Sequence, residues 1–279
     1  MTVLTAAGPV QVRLLGPVDL RINGSSAPVA GLRRLAVLAV LALQVGEVVS
    51  TNHLIDVVWS GRAPRTAANT LQRHVSYLRS LLGSKTAIGY QSPGYILNLD
   101  GEATDALAAA RLIGVGMTAI DPTQRVQHLQ TAIGLWRGQP LMDVVALPRL
   151  NEQAERLNHL LLQAKQSLAQ ARLALGQNVQ AINELEPLTR KHPLHEQIHT
   201  QLILALYRVG RQHDALAVYE RLRAALRNDL GIEPSSFVRD LHLAILRQDS
   251  SLIQTPRDHA LLPHLQKVHD HGGIGVVSA

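Results

Sequence analysis

The spacing of apolar and polar positions changes several times within the first hundred residues. Residues 10–22 alternate apolar and polar at both ends of a Gly16-Pro17 break, and Asn23-Gly24 follows, a pair suited to a tight hairpin turn. This predicts short antiparallel strands. From residue 31 the spacing becomes helical: Leu35, Leu38, Leu41 and Ala42 predict a compact apolar helix over 31–44. Ser50 is placed as the N-cap of a second helix with Leu54, Ile55, Val58 and Trp59 as its buried stripe, stopping at Ser60-Gly61. A turn from Gly61 to Arg65 leads to a third helix over about 66–82, with Leu71, Val75, Leu78 and Leu82 in one apolar line and Gly83 as its closing residue. Ile88 to Leu97 then reads as two short β segments around Pro93-Gly94. Strands, three helices and a closing hairpin, in that order, are the signature of a winged helix-turn-helix.

Beyond residue 103 nearly every segment has helical spacing. Leu168, Ala171, Leu173, Gly176, Ala181, Leu185 and Leu188 are echoed 34 residues later by Leu202, Ala205, Tyr207, Gly210, Ala215, Tyr219 and Leu222. That is the period of tetratricopeptide helix hairpins, in which a glycine ends the first helix and a small alanine lets two helices approach. Two such units fall short of a stable array, so helices over about 104–117, 123–136 and 235–248 are expected to extend it. The predicted fold is mainly α: a small α+β winged helix-turn-helix domain over 1–100, an all-α tetratricopeptide-like domain over 101–250, and a disordered tail over 251–279 with Pro256 and Pro263 at its start.

Composition narrows the possibilities. The longest apolar run, Leu35 to Leu43, is half the length of a membrane helix, and no basic cluster followed by an apolar stretch marks a signal peptide. The chain has no cysteine, which removes disulfides and thiolate chemistry, and the cytoplasm is the simplest compartment. The net charge of +6 is unevenly placed, with residues 1–100 carrying +5 and the remainder +1. Eight of the nine cations in the first part are arginine, the side chain suited to phosphates and guanine edges.

With its apolar line against the core, the third helix presents Thr66, Asn69, Arg73, Ser76 and Ser80 on the opposite face, Tyr77 beside them and Gln72 and Arg79 on one flank. Amides can read adenine, arginine can read guanine, and hydroxyls can take base edges or phosphates. No acid on this face repels phosphate, whereas an ordinary solvated helix face mixes Glu with Lys. Gln91 and Ser92, with Tyr90, would lie at the tip of the closing hairpin, the wing. Arg33 and Arg34 either bind phosphate or are simply solvated. A competing signal is His195-Glu196-Gln197-Ile198-His199, an H-E-x-x-H match that in zinc peptidases supplies two metal ligands and a general base. It stands at the start of a repeat helix committed to packing, and no second motif supplies a third ligand. The expectation is therefore no catalytic residue, no metal and no cofactor. Trp136 and Tyr219 are read as core aromatics, and the tail residues His259, His264, His269 and His271 as solvated.

Several longer segments carry a resemblance. Asn69 to Arg79 followed by Ser92-Pro93-Gly94-Tyr95 resembles the winged helix of the Streptomyces antibiotic regulatory proteins. Leu135-Trp136-Arg137-Gly138-Gln139-Pro140-Leu141, the stretches Ala205 to Gln212 and Ala215 to Tyr219, and Asp229 to Ser235 resemble successive markers of that family's bacterial transcriptional activation domain. The likeness spans about residues 10–250. It implies an activator that binds double-stranded DNA at direct repeats upstream of promoters, as a dimer or as paired copies, and contacts RNA polymerase. It also implies control of a secondary-metabolite gene cluster. The family's recognition helix maps onto 66–82, its wing onto 86–97, and its candidate polymerase contact onto the loop with Arg62, Pro64 and Arg65. Larger members add a nucleotide-binding domain, so ATP control is not expected for a chain that stops here. The family usually has arginine where His195 stands, and that substitution alone creates the H-E-x-x-H match. The alternatives are an interaction scaffold without DNA binding and, more remotely, a zinc peptidase.

Overall fold

The computed structural model describes residues 10–99 and 103–253; the expected tail and its four histidines fall outside them, apart from residues 251–253. The chain divides into two compact units, Met1–Ser167 and Leu168–Ala279.

The first unit opens with β1 (Val10–Arg13), β2 (Asp19–Ile22) and β3 (Ser25–Ser26), an antiparallel sheet in sequence order. Ile22 pairs with Ser25 across Asn23 and Gly24, both at positive φ, as the sequence pair demands. Helix α1 (Leu32–Leu43) follows. Its residues from Ala36 to Ala42 are all buried, so it is the central helix of the unit and not one with a single apolar stripe. Three residues beyond the expected elements, β4 (Val48–Ser50), precede α2 (Thr51–Trp59), and Ser50 is the N-cap, its hydroxyl accepting from His53 N–H at 3.1 Å. Val57 joins Leu54, Val58 and Trp59 in the core, and Ile55 is only half-buried. Helix α3 (Ala67–Leu81) buries Leu71, Val75, Leu78 and the adjoining Leu82. Strands β5 (Ile88–Gln91) and β6 (Gly94–Leu97) form the wing, with β6 central between β4 and β5.

Two further helices, α4 (Asp105–Thr118) and α5 (Pro122–Ile133), pack as a hairpin, and the 27-residue α6 (Pro148–Ala174) runs on into the second unit. The segment between α5 and α6 serves the first sheet. Arg137 N–H donates to Leu15 O at 2.7 Å, Leu141 N–H to Leu14 O at 2.9 Å, and Asp143 accepts from Val18 N–H at 2.8 Å. Leu141, Val144, Leu150 and Ala154 thus share one apolar cluster with α1, α2 and α3.

The second unit contains α7 (Asn178–Lys191), α8 (Glu196–Arg208), α9 (Gln212–Leu230) and α10 (Ser236–Leu246), followed by a short 3-10 turn at Ser250–Leu252. The 34-residue echo has its physical basis here. Gly176 and Gly210 adopt φ of 73° and 79° where the chain reverses, and Ala181 and Ala215 are both fully buried at the helix crossings. Tyr219 is a core aromatic, stacked on His242 of α10 with ring centroids 3.9 Å apart.

Candidate nucleic-acid interface

Helix α3 is amphipathic by register. Its core line spends one face on α1, α2 and β5, leaving Asn69, Gln72, Arg73, Ser76 and Ser80 exposed, with Thr66 exposed at the N-cap position. None of these groups is acidic, and the acid nearest in sequence, Asp56 on α2, is occupied by Arg149 at 2.9 Å. The face can therefore meet an anionic surface without internal repulsion, and the exposed Arg73 guanidinium has planar donors for a base edge.

Two residues of the predicted face sit differently. Arg79 is half-buried and its Nε donates to Ile88 O at 2.7 Å, tying α3 to the first wing strand. Tyr77 is also half-buried, its hydroxyl accepting weakly from Ala30 N–H at 3.5 Å. The Arg34 guanidinium lies 4.0 Å above the Tyr77 ring. Arg33 lies 5.5 Å above Trp59, and His74 of α3 stacks on the same indole with ring centroids 6.3 Å apart. Cation–π stacking holds both arginines at the start of α1 without neutralising them. Burial, then the charges of Arg34 and Arg33, push His74 below the ordinary histidine value and keep it neutral beside them. The first turn of α1 adds open backbone N–H groups, since Gly31 provides no side-chain cap. Two stacked guanidiniums at a helix start form a phosphate-favouring corner. Trp59 and His74 were invisible as parts of it in the sequence, because cation–π partners have no fixed spacing.

At the wing, Gln91 and Ser92 are exposed and Tyr90 is 65% exposed, its ring edge-on to Tyr95 with centroids 5.5 Å apart. Pro93 O accepts from both N–H and Oγ1 of Thr51 at 3.1 Å, which fixes the wing turn against the start of α2. The loop residues Arg62, Pro64 and Arg65 are all exposed between α2 and α3.

The H-E-x-x-H residues are occupied elsewhere. Glu196 accepts from Ser235 N–H at 2.8 Å, and His199 is buried with Nδ1 on its own helix, 3.0 Å from His195 O. No cluster of three metal-ligating side chains occurs among the described residues, and no described helix is long and apolar enough to cross a membrane.

Two family models match this chain: "Transcriptional regulatory protein, C terminal" over residues 31–98 and "Bacterial transcriptional activator domain" over residues 104–246. The fold and these matches define a transcription regulator, a winged helix-turn-helix joined to a bacterial activator domain. Regulatory protein DnrI of Streptomyces peucetius is 32% identical over 256 residues, covering 87% of this chain and 94% of that protein. Transcriptional regulator RedD of Streptomyces coelicolor is 32% identical, covering 88% of this chain and 73% of that one. The solved structure of Mycobacterium tuberculosis EmbR in complex with a low-affinity phosphopeptide matches with a TM-score of 0.82 at 33% identity, covering 86% of this chain and 65% of the EmbR chain. The chain belongs to the Streptomyces antibiotic regulatory protein family of transcriptional activators. It is a regulator and not an enzyme, which assigns the H-E-x-x-H match to coincidence.

Proposed function

We propose that this activator binds direct repeats upstream of promoters through α3 and the wing, as a dimer or as paired copies on one DNA face, and recruits RNA polymerase from there. The observation that carries the reading is the acid-free exposed face of α3 beside the two stacked arginines of α1. Arg73, Asn69, Gln72, Ser76 and Thr66 face the major groove, Gln91 and Ser92 approach the adjacent backbone, and Arg33 and Arg34 take phosphates. Arg79 and Tyr77 support α3 from its flanks and reach the backbone at its edge. Arg62, Pro64 and Arg65 form the polymerase contact. The DNA-binding domain spans 1–100 and the activation domain 101–250, and the protein works in the cytoplasm on a secondary-metabolite gene cluster.

Mapping the purified protein on fragmented DNA of its own source tests this directly. Enrichment of short direct repeats one helical turn apart, about 34–36 Å, is the expected result. Uniform binding at physiological salt would remove the direct repeats, and no binding would leave an interaction scaffold. On a mapped site, Arg73→Ala is expected to cost about 1–3 kcal/mol and to relax specificity at one position. Arg33→Gln and Arg34→Gln are expected to weaken all sequences alike and to lower the salt slope by roughly one unit each. A slope identical to that of the unaltered protein would remove the phosphate role from α1.

A further inference from the structure

The second unit contains a cleft of about 520 Å³ between α7, α8 and α9, within the size range of small-molecule sites. Leu202, Leu206 and Val218 form an apolar floor, and Arg190 and Arg221 line the rim. A third arginine there, Arg211, is already neutralised between Asp214 at 2.6 Å and Glu186 at 4.0 Å. Among the described residues Arg190 and Arg221 have no carboxylate partner, and with three arginines against Asp214 and Glu186 the lining keeps a net positive charge of one. Surface arginines alone would signify little. The cleft is also lined by His199, which is 95% buried, its side chain committed by the Nδ1 contact to a carbonyl.

A carbonyl only accepts, so Nδ1 carries the proton and Nε2 is a lone-pair acceptor, with no hydrogen bond from any described group. Burial and the nearby Arg221 push this imidazole below its ordinary value, which keeps that acceptor unprotonated at neutral pH. An unprotonated acceptor nitrogen on a residue that lines the cleft can take an O–H or N–H from a ligand.

We propose that this cleft binds a small organic acid. Its branched or aromatic body lies on Leu202, Leu206 and Val218. Its carboxylate is clamped by Arg190 and Arg221, and a hydroxyl or N–H next to the carboxylate donates to His199 Nε2. The site is separate from the DNA face, and its binding is read without DNA.

Isothermal titration of the full chain with 2-hydroxy-4-methylpentanoate, N-acetylleucine and N-acetylphenylalanine, each beside its carboxamide, tests the proposal. At least one acid is expected to bind saturably and one-to-one, with its carboxamide about tenfold weaker or worse, since charge-assisted pairs to arginine are lost. Arg190→Gln and Arg221→Gln, singly and together, are expected to weaken the acid by a similar factor at an unchanged thermal midpoint, both side chains being exposed. 4-Methylpentanoate, which lacks the donor, is expected to bind more weakly than its 2-hydroxy form. No saturable binding by any of the three acids, equal affinity for acids and carboxamides, or full affinity in the double variant would overturn the proposal.

Discussion

Gly94→Ala is expected to break the wing and with it the first unit's hold on its second sheet. A Cβ at Gly94 would stand 1.9 Å from Val49 O and 2.6 Å from Ser50 Cα, both backbone atoms that cannot swing away. Gly94 pairs with Ser50 on one side and Gln91 on the other, so any shift of β6 opens both ladders. Overpacking a rigid site costs about 1–3 kcal/mol, and a clash with backbone on a central strand belongs at or above the top of that range. Gly89→Ala is the control. Its Cβ would meet Ile96 Cγ2 at 3.0 Å and Asn98 Nδ2 at 3.2 Å, both side-chain atoms at longer range and not backbone. Both tryptophans of the chain, Trp59 and Trp136, lie in the first unit, so their emission during urea unfolding reports that unit alone. The midpoint for Gly94→Ala should fall well below that for Gly89→Ala. Equal midpoints would mean that β4 and β6 approach less closely than described.

Asp105→Ala should be nearly as damaging, for an electrostatic reason. Asp105 caps no helix of its own; at 3% exposure it receives Leu14 N–H at 2.6 Å and Leu15 N–H at 3.1 Å, with Arg137 Nη2 at 3.6 Å. Removing it leaves two backbone donors in fully buried residues without acceptors, a loss of about 3 kcal/mol. Asp105→Asn retains one acceptor oxygen and should lose about half as much. Burial is the dominant influence on this carboxyl and raises it above its ordinary value, against the two backbone bonds and Arg137, which act the other way. Folding therefore takes up a proton, and the contribution of Asp105 to stability is complete below the unfolded carboxylate value and declines as pH rises through the folded one. The advantage of the unaltered chain over Asp105→Asn should be larger in acid than at neutral pH. An advantage that grows with pH would show that the backbone bonds and Arg137 outweigh burial.

The same residues show where sequence reasoning stops. The recognition-type face of α3 was legible because one helix has one period: burying Leu71, Val75, Leu78 and Leu82 forces Asn69, Arg73 and Ser76 outward. The Asn23-Gly24 turn and the Ser50 cap were legible because their conformations are local preferences of those residue types. Strand β4 was not, since three residues carry no period and are held by partners in β6, 44 residues or more away. Arg79 was assigned by its angle on the helix, yet its bond to Ile88 O depends on where the wing folds back. The Trp136-Arg137 marker was recognisable as a string of letters, but its work, hydrogen-bonding residues 14–18, is a contact across more than a hundred residues.

By itself, then, the amino-acid sequence determined what depends on near neighbours: the elements with a clear period, their caps and turns, the 34-residue repeat and the acid-free exposed face of α3. Tertiary structure alone decided what depends on pairs distant in the chain. It stacked Arg33 and Arg34 on Trp59 and Tyr77, buried Asp105 beneath the first sheet, and turned His199 from an apparent metal ligand into the wall of a cleft. The physical reason is that hydrogen bonds and ring contacts act over a few ångströms of space, whatever the separation along the chain.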